Sequence, residues 1–261
     1  MVYSNKTAII TGGSSGIGKT FAHKLAANGL HLCIIARNEG NLIIVKNEIL
    51  NKYDVPVTVI AADLSTSEGL KKVSKFIDNT PNIAYLINNA GKTFLGPSFL
   101  YSIGKEKEMI NLHIKSFVNL SHRAARKMEI NNFGNIINVA SFSGLMKNVK
   151  NETLYRSTKA FQIEFSKTLS FCLRNTNVNV QVLCPGYTKT NFHRTEEFKR
   201  NKKAVYKEIP NFFWMSSEKV VKKSLEQLPK KKLIVVPGFL NKLFVAFVNS
   251  FLYKFLQLIK K

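Results

Sequence analysis

Lys6-Thr7-Ala8-Ile9-Ile10-Thr11 is a short strand with an unbroken apolar run, and it leads straight into Gly12-Gly13-Ser14-Ser15-Gly16-Ile17-Gly18. A continuous apolar run, rather than an alternating one, marks a strand buried on both faces, as in a parallel sheet. From Ile17 to Leu30 the pattern changes to helical spacing through Phe21, Leu25 and Ala26. Strand, glycine turn and helix in that order restrict the fold more than any other feature of the chain. Gly12 permits the sharp turn, Gly16 lets backbone N–H groups approach a pyrophosphate, and Gly18 lets the helix pack close. The helix N-terminus adds partial positive charge for that phosphate. Ser14, Ser15 and Ile17 complete this expected cofactor-binding segment. Its spacing is G-x-x-x-G-x-G rather than G-x-G-x-x-G, and a glycine-rich turn without a ligand is the competing reading.

The second strand, His31–Ala36, ends where dinucleotide folds test the adenosine ribose. A carboxylate there would select NAD(H); this chain has Ala36 and then Arg37, whose guanidinium can pair a 2′-phosphate. NADP(H) is therefore expected in preference to NAD(H), against the alternative of a solvated loop arginine. A third strand, Val57–Leu64, brings Asp63 and Leu64 to the same edge. Asp63 can accept a hydrogen bond from adenine or cap the helix beginning near Ser65 or Ser67.

Tyr155 and Lys159 are one helical turn apart. An ammonium beside a phenol stabilises the phenolate, so the tyrosine can donate or accept a proton near neutral pH. Tyr101 and Lys105 share that spacing, but only Tyr155 follows a strand-end hydroxyl. The strand Asn135–Ala140 ends at Ser141, fourteen residues before Tyr155, and Gly144 turns the chain away. Ser141 stands where open parallel sheets place ligands and can stabilise charge on a substrate oxygen. Ser143 is a rival for that role.

Taken together, these residues resemble the short-chain dehydrogenase/reductase family, from about Lys6 to Gly238. The resemblance rests on Thr11-Gly12-x-x-x-Gly16-x-Gly18, Asn88-Asn89-Ala90-Gly91, the Ser141, Tyr155 and Lys159 set, and Pro185-Gly186 with Thr188 and Thr190 beyond. It implies a hydride-transferring oxidoreductase that interconverts a carbonyl and an alcohol. It also implies that Asn111 completes a catalytic tetrad by holding a water near Lys159. By the same resemblance Asn89, Ala90 and Gly91 flank the adenosine side. Tyr155 and Lys159 also touch the cofactor, and Pro185, Gly186, Thr188 and Thr190 surround the nicotinamide. Thr188 stands where the family usually has an aliphatic residue.

With 261 residues and 45% apolar content the chain suits one α/β domain, a doubly wound parallel sheet over 1–238 with a substrate lid near 188–217. The lid's aromatic residues, from Phe192 to Trp214, suit an apolar, acyl- or sterol-like substrate. Cys33, Cys172 and Cys184 have no metal-ligand spacing, and the five histidines form no cluster, so no metal is expected and the histidines read as structural. The strand that begins almost at once leaves no apolar leader, so a cytoplasmic location is expected. The net charge of +23 is dispersed and accompanies no nucleic-acid motif, which argues against nucleic acid as partner. Anionic lipid, acyl-CoA or an acidic carrier protein would share that attraction. Residues 239–261 read as a basic amphipathic helix, with Leu240, Leu243, Phe244, Phe247, Val248, Phe251 and Phe255 in its apolar stripe and Asn241 on the polar side. That helix is expected to lie on an anionic membrane surface, or else to cover the substrate mouth or a second subunit. A homo-oligomer is also expected. A cofactor-binding sensor and a membrane-associated lipid-binding protein are the rival functions on the same fold.

Overall fold

The unbroken apolar runs form the interior of a seven-stranded parallel sheet in a computed structural model that describes residues 5–93, 102–146, 153–190, 192 and 209–250. Its strands are β1 (Thr7–Thr11), β2 (His31–Ala36), β3 (Val57–Ala61), β4 (Ile83–Asn88), β5 (Gly134–Val139) and β6 (Val178–Leu183). Strands β7 (Thr188–Lys189) and β8 (Met215–Ser216) form a separate pair, and β9 (Ile234–Val235) closes the main sheet. The order is β3-β2-β1-β4-β5-β6-β9, so the winding reverses between β1 and β4. Ile9 of β1 pairs with Cys33 on one side and Leu86 on the other. Ligands of such sheets bind in the crevice that this reversal opens beyond the strand C-termini.

Helices cover both faces. On one, α1 (Gly16–Ala26) and α2 (Glu39–Leu50) bury Phe21, Leu25, Leu42 and Ile49 with Val220 and Val221 of α7 (Ser217–Gln227). On the other, α3 (Ser67–Asn79) and α5 (Phe117–Ile130) bury Val73, Ile77, Leu120 and Met128. The helix α4 (Ile103–Ile110) runs into α5 through a wider π-helical turn, Asn111–Ser116, and α6 (Thr153–Cys172) precedes β6.

Several boundaries differ from the sequence reading. The first helix stops at Ala26, because Gly29 takes a φ of 79° and turns Leu30 into the core. Strand β3 stops at Ala61, and the Asp63 carboxylate accepts from the backbone N–H of Ser65 at 2.9 Å. The cap of α3 is Thr66, whose hydroxyl accepts from Gly69 N at 3.1 Å, so of the two roles open to Asp63 the capping one falls to Thr66.

The last helix, α8 (Phe239–Val248), departs further from the single stripe. Asn241, expected on the polar side, is 2% exposed and donates to Pro237 O at 2.8 Å. Phe244 and Val248 pack on Phe142, Met146 and Tyr187. Phe239, Leu243 and Phe247 face outward, 72%, 49% and 43% exposed. The helix is apolar on two sides because it rests on the sheet's C-terminal edge with one of them. Tyr101, Phe198, Tyr206 and everything after Ser250 lie outside the described residues. Among the described residues no helix is long and apolar enough to cross a membrane.

Candidate active site

The glycine turn is held by the end of β4. The Thr11 hydroxyl donates to Ile87 O and accepts from the backbone N–H groups of Asn89 and Ala90 at 2.9 and 3.0 Å. The Asn89 amide donates to Thr11 O and Gly12 O at 3.0 and 3.2 Å. A side chain at Gly12, which has a φ of 67°, would meet that amide at 2.6 Å. A Cβ on Gly18 would sit 2.2 Å from Gly12 O, so the turn and the first coil of α1 exist only without one. Ser15 precedes α1 without capping it through its side chain, and the first turn carries no acidic residue. The N–H groups at that end are thus available to an anion.

Thr190 stands over this turn, since a Cβ on Gly16 would lie 2.8 Å from its methyl group. The Thr188 hydroxyl donates to Gly186 O at 3.0 Å and Pro185 O accepts from Phe142 N at 2.9 Å, which ties the segment after β6 to the segment after β5. Arg37 is exposed at the end of β2. Asp63 and buried Leu64 lie on the next strand's edge. Burial raises the Asp63 pKa, but hydrogen bonds from Ser65 and the charges of Arg37 and Lys92 outweigh it and hold the carboxyl below its usual range.

Beyond β5, Ser141 is buried and caps a short 3-10 turn, Phe142–Leu145; its hydroxyl accepts from Ser143 N and the Ser143 hydroxyl at 3.2 and 3.1 Å. The two rival serines therefore form one hydrogen-bonded unit, with Ser141 at the strand end. Gly144 lies within that 3-10 turn, where the chain leaves β5, without a positive φ. It also admits α6, because a Cβ there would lie 2.8 Å from the Lys159 carbonyl carbon. Arg156 fastens the same loop by donating to Ser143 O at 3.2 Å and to Met146 O.

Tyr155 is half-buried on α6 and the buried Lys159 ammonium lies 5.7 Å from its ring centre. Lys159 donates to Val139 O and to the Gln162 side-chain oxygen, each at 3.0 Å. Burial pushes the ammonium pKa down to about 7. Neighbouring Cys184 opposes this only so far as it ionises, and burial pushes its thiol up to about 12. Asn111 is half-buried at the start of the π-helical turn. Two residues later comes His113, which the sequence offered only as a structural histidine. It is fully buried with its ring 5.9 Å from that of Tyr155. Burial first, and then the charges of Lys159 and Lys92, hold its pKa well below the ordinary value.

Phe142, Tyr187, Phe213, Trp214 and Phe244 pack as an aromatic cluster, and Phe192 lies against Tyr155. Phe142 meets Tyr187 at 5.5 Å and Phe244 at 6.0 Å, Phe213 meets Phe244 at 5.8 Å, and Phe192 lies 6.3 Å from Tyr155. Gln162, Arg156 and His113 escaped the sequence reading, since a polar residue at a helical spacing looks the same whether it faces water or a site. Among the described residues no cluster has the makings of a metal site.

A family model described as short chain dehydrogenase matches residues 6–201. An uncharacterised oxidoreductase of Staphylococcus epidermidis is 30% identical over 199 residues, 76% of this chain and 84% of that protein. A very-long-chain 3-oxoacyl-CoA reductase of Danio rerio is 33% identical over 189 residues, 71% of this chain but only 60% of its own length. Among solved structures, a short-chain dehydrogenase from Sphingobium yanoikuyae in complex with NADPH superposes with a TM-score of 0.81 at 26% identity, covering 90% of this chain and 88% of that one.

Proposed function

Because the chain belongs to the short-chain dehydrogenase family, and is thus an oxidoreductase acting on CH–OH groups, we propose that it is an NADP(H)-dependent enzyme that reduces an apolar carbonyl, or oxidises the matching alcohol, on an acyl- or sterol-like substrate. The observation that carries this reading is that the end of β5 and α6 are joined at the sheet's C-terminal edge: Lys159, beside Tyr155, donates to Val139 O, and Arg156 donates to O of Ser143, the hydrogen-bond partner of Ser141, with aromatic side chains alongside. The cradle fits a dinucleotide: the glycines exclude side chains from the turn, and α1 begins without a side-chain cap or an acidic residue.

When bound, the dinucleotide supplies the hydride that the carbonyl carbon gains. Tyr155 gives its phenolic proton to the substrate oxygen, and takes one back when the alcohol is oxidised. Ser141 donates a hydrogen bond to that oxygen as charge develops on it. The Lys159 ammonium lowers the cost of the phenolate. By the family resemblance Asn111 holds a water that resupplies the proton. Arg37 supports NADP(H), since a guanidinium pairs a 2′-phosphate in two directions. The 3-oxoacyl-CoA reductase named above supports an acyl substrate, and the net charge of +23 suits an anionic thioester carrier or an anionic membrane surface.

The test is turnover of a panel of 3-oxoacyl thioesters, ketosteroids and simple ketones with NADPH and NADH. Reduction of long 3-oxoacyl thioesters, with NADPH bound at least about tenfold tighter than NADH (about 1.4 kcal/mol), is expected. Arg37→Ala should erase that ratio. Tight NADPH binding with no turnover of any carbonyl would favour a sensor.

A further inference from the structure

His113 and Gln162 join the π-helical turn that carries Asn111 to the helix that carries Tyr155 and Lys159, and neither takes part in the proton transfer described above. Gln162 is 4% exposed, and both ends of its amide are engaged. Its oxygen accepts from Lys159 Nζ at 3.0 Å and its nitrogen donates to His113 O at 2.8 Å. An ammonium only donates and a carbonyl only accepts, so these two partners fix the orientation of the amide.

The other side of His113 repeats the connection. Its Nε2 accepts from the backbone N–H of Lys92 at 3.0 Å, which leaves the proton on Nδ1 to meet Thr158 Oγ1 at 2.9 Å. The Thr158 hydroxyl in turn donates to Tyr155 O at 2.7 Å. The groups that titrate around Lys159 are Tyr155 from its own helix, His113 from the π turn, Lys92 beyond the imidazole, and Cys184 after β6. Among the described residues none of them is a carboxylate, and the acceptors of the buried ammonium there are two neutral groups, Val139 O and the Gln162 oxygen.

We propose that Gln162 is a positioning residue for the Tyr155–Lys159 pair: its oxygen holds the Lys159 ammonium charged and in place, while its nitrogen anchors that oxygen to the Asn111 turn through His113 O. The proposal rests on Tyr155 and Lys159 being the proton-transfer pair, but its first test needs no turnover. In cofactor-free protein labelled with 13C-lysine, the Lys159 side-chain signal, assigned with Lys159→Arg, is followed against pH. Gln162→Met keeps the length and removes both polar ends, and the Lys159 midpoint should fall by about half a pH unit or more.

Ser166→Ala is the packing control. It removes a different buried polar group on the same helix, a hydroxyl that donates to Gln162 O and accepts from Asn138. It should lower the melting temperature without moving that midpoint. A Lys159 midpoint unchanged in Gln162→Met, or displaced equally in Ser166→Ala, overturns the proposal. If Gln162→Met does not fold, Gln162→Glu still decides: it keeps an acceptor on Lys159 and adds charge, so the midpoint must rise. In a turnover assay of Gln162→Met, kcat should fall about tenfold with KM nearly unchanged, and the apparent pKa for alcohol oxidation should rise as the phenolate loses its charged neighbour. Loss of KM alone, with the pH profile unmoved, would assign Gln162 to packing. Absence of any wild-type turnover would count against the proposed reaction and leave the Lys159 titration as the judge of Gln162.

Discussion

At the scale of single residues, the phenol of Tyr155 and the ammonium of Lys159 do different work and should fail differently. Tyr155→Phe removes only the ionisable hydroxyl, so turnover should disappear while NADPH still quenches protein fluorescence with near wild-type affinity. Lys159→Ala should weaken both, because the charge serves the phenol and, by resemblance, the nicotinamide ribose. The buried ammonium also has a stability signature. With its folded pKa depressed to about 7, Lys159 binds a proton less tightly folded than unfolded. Its burial therefore destabilises the protein fully below pH 7, and that penalty fades as pH rises towards the unfolded value near ~10.4. Melting temperatures of wild type and Lys159→Met should thus differ most at pH 6, with wild type lower, and converge by pH 10. The full effect is at most roughly 5 kcal/mol. A gap independent of pH would mean that the lysine is not the titrating group.

At the scale of elements, the site depends on backbones brought closer than side chains allow. Gly18 and Gly144 do this at the two ends of the crevice, one against Gly12 O and the other against the Lys159 carbonyl carbon. Gly144→Ala should push the Ser141 turn away from α6 and cut kcat by about 10- to 100-fold, since small displacements of positioned groups are costly. Circular dichroism should show the helix content retained, and NADPH affinity should change little because the glycine turn lies on other elements. Equal losses in cofactor binding and turnover would instead indicate general unfolding. Much of this level was legible from the chain. The apolar runs placed β1 and β2 within a residue of their observed bounds, and the Tyr155-to-Lys159 spacing placed both on α6. Capping of α3 by Thr66 was not, because Asp63, Ser65 and Thr66 are all competent cap residues, and local geometry chose among them.

For the whole molecule, net charge and the outward face of α8 lead to one prediction. Phe239, Leu243 and Phe247 point away from the core, with Lys242 exposed among them, on a chain of net charge +23. Each large apolar side chain gains ~1.5–3 kcal/mol if fully buried at an acyl boundary. Each lysine near an anionic leaflet adds roughly 1 kcal/mol. Co-sedimentation with phosphatidylserine vesicles is expected at low salt and should fall at high salt, where the charges are screened. Phe239→Ser with Leu243→Ser should reduce it further while leaving turnover of a short, water-soluble ketone intact. Equal sedimentation of wild type and double variant would remove α8 from the contact, and a concentration-dependent dimer lost in the double variant would give its outer face to a second copy of the chain.

Local order was legible in the sequence alone: the first strands of the sheet, the glycines of the turn before α1, and Tyr155 with Lys159 one helical turn on after a strand-end serine. These follow from periodicity and covalent geometry, which act over a few residues. Tertiary structure decided what no short window contains. Asn241 reads as a surface residue until Gly186 and Pro237 close around it, and His113 reads as one scattered histidine until Lys92 from the segment after β4 and Thr158 and Gln162 from α6 meet it. A polar side chain carries the same letter in water and in the core, and only the approach of distant strands and helices, which removes the water, gives its hydrogen bonds a single set of partners.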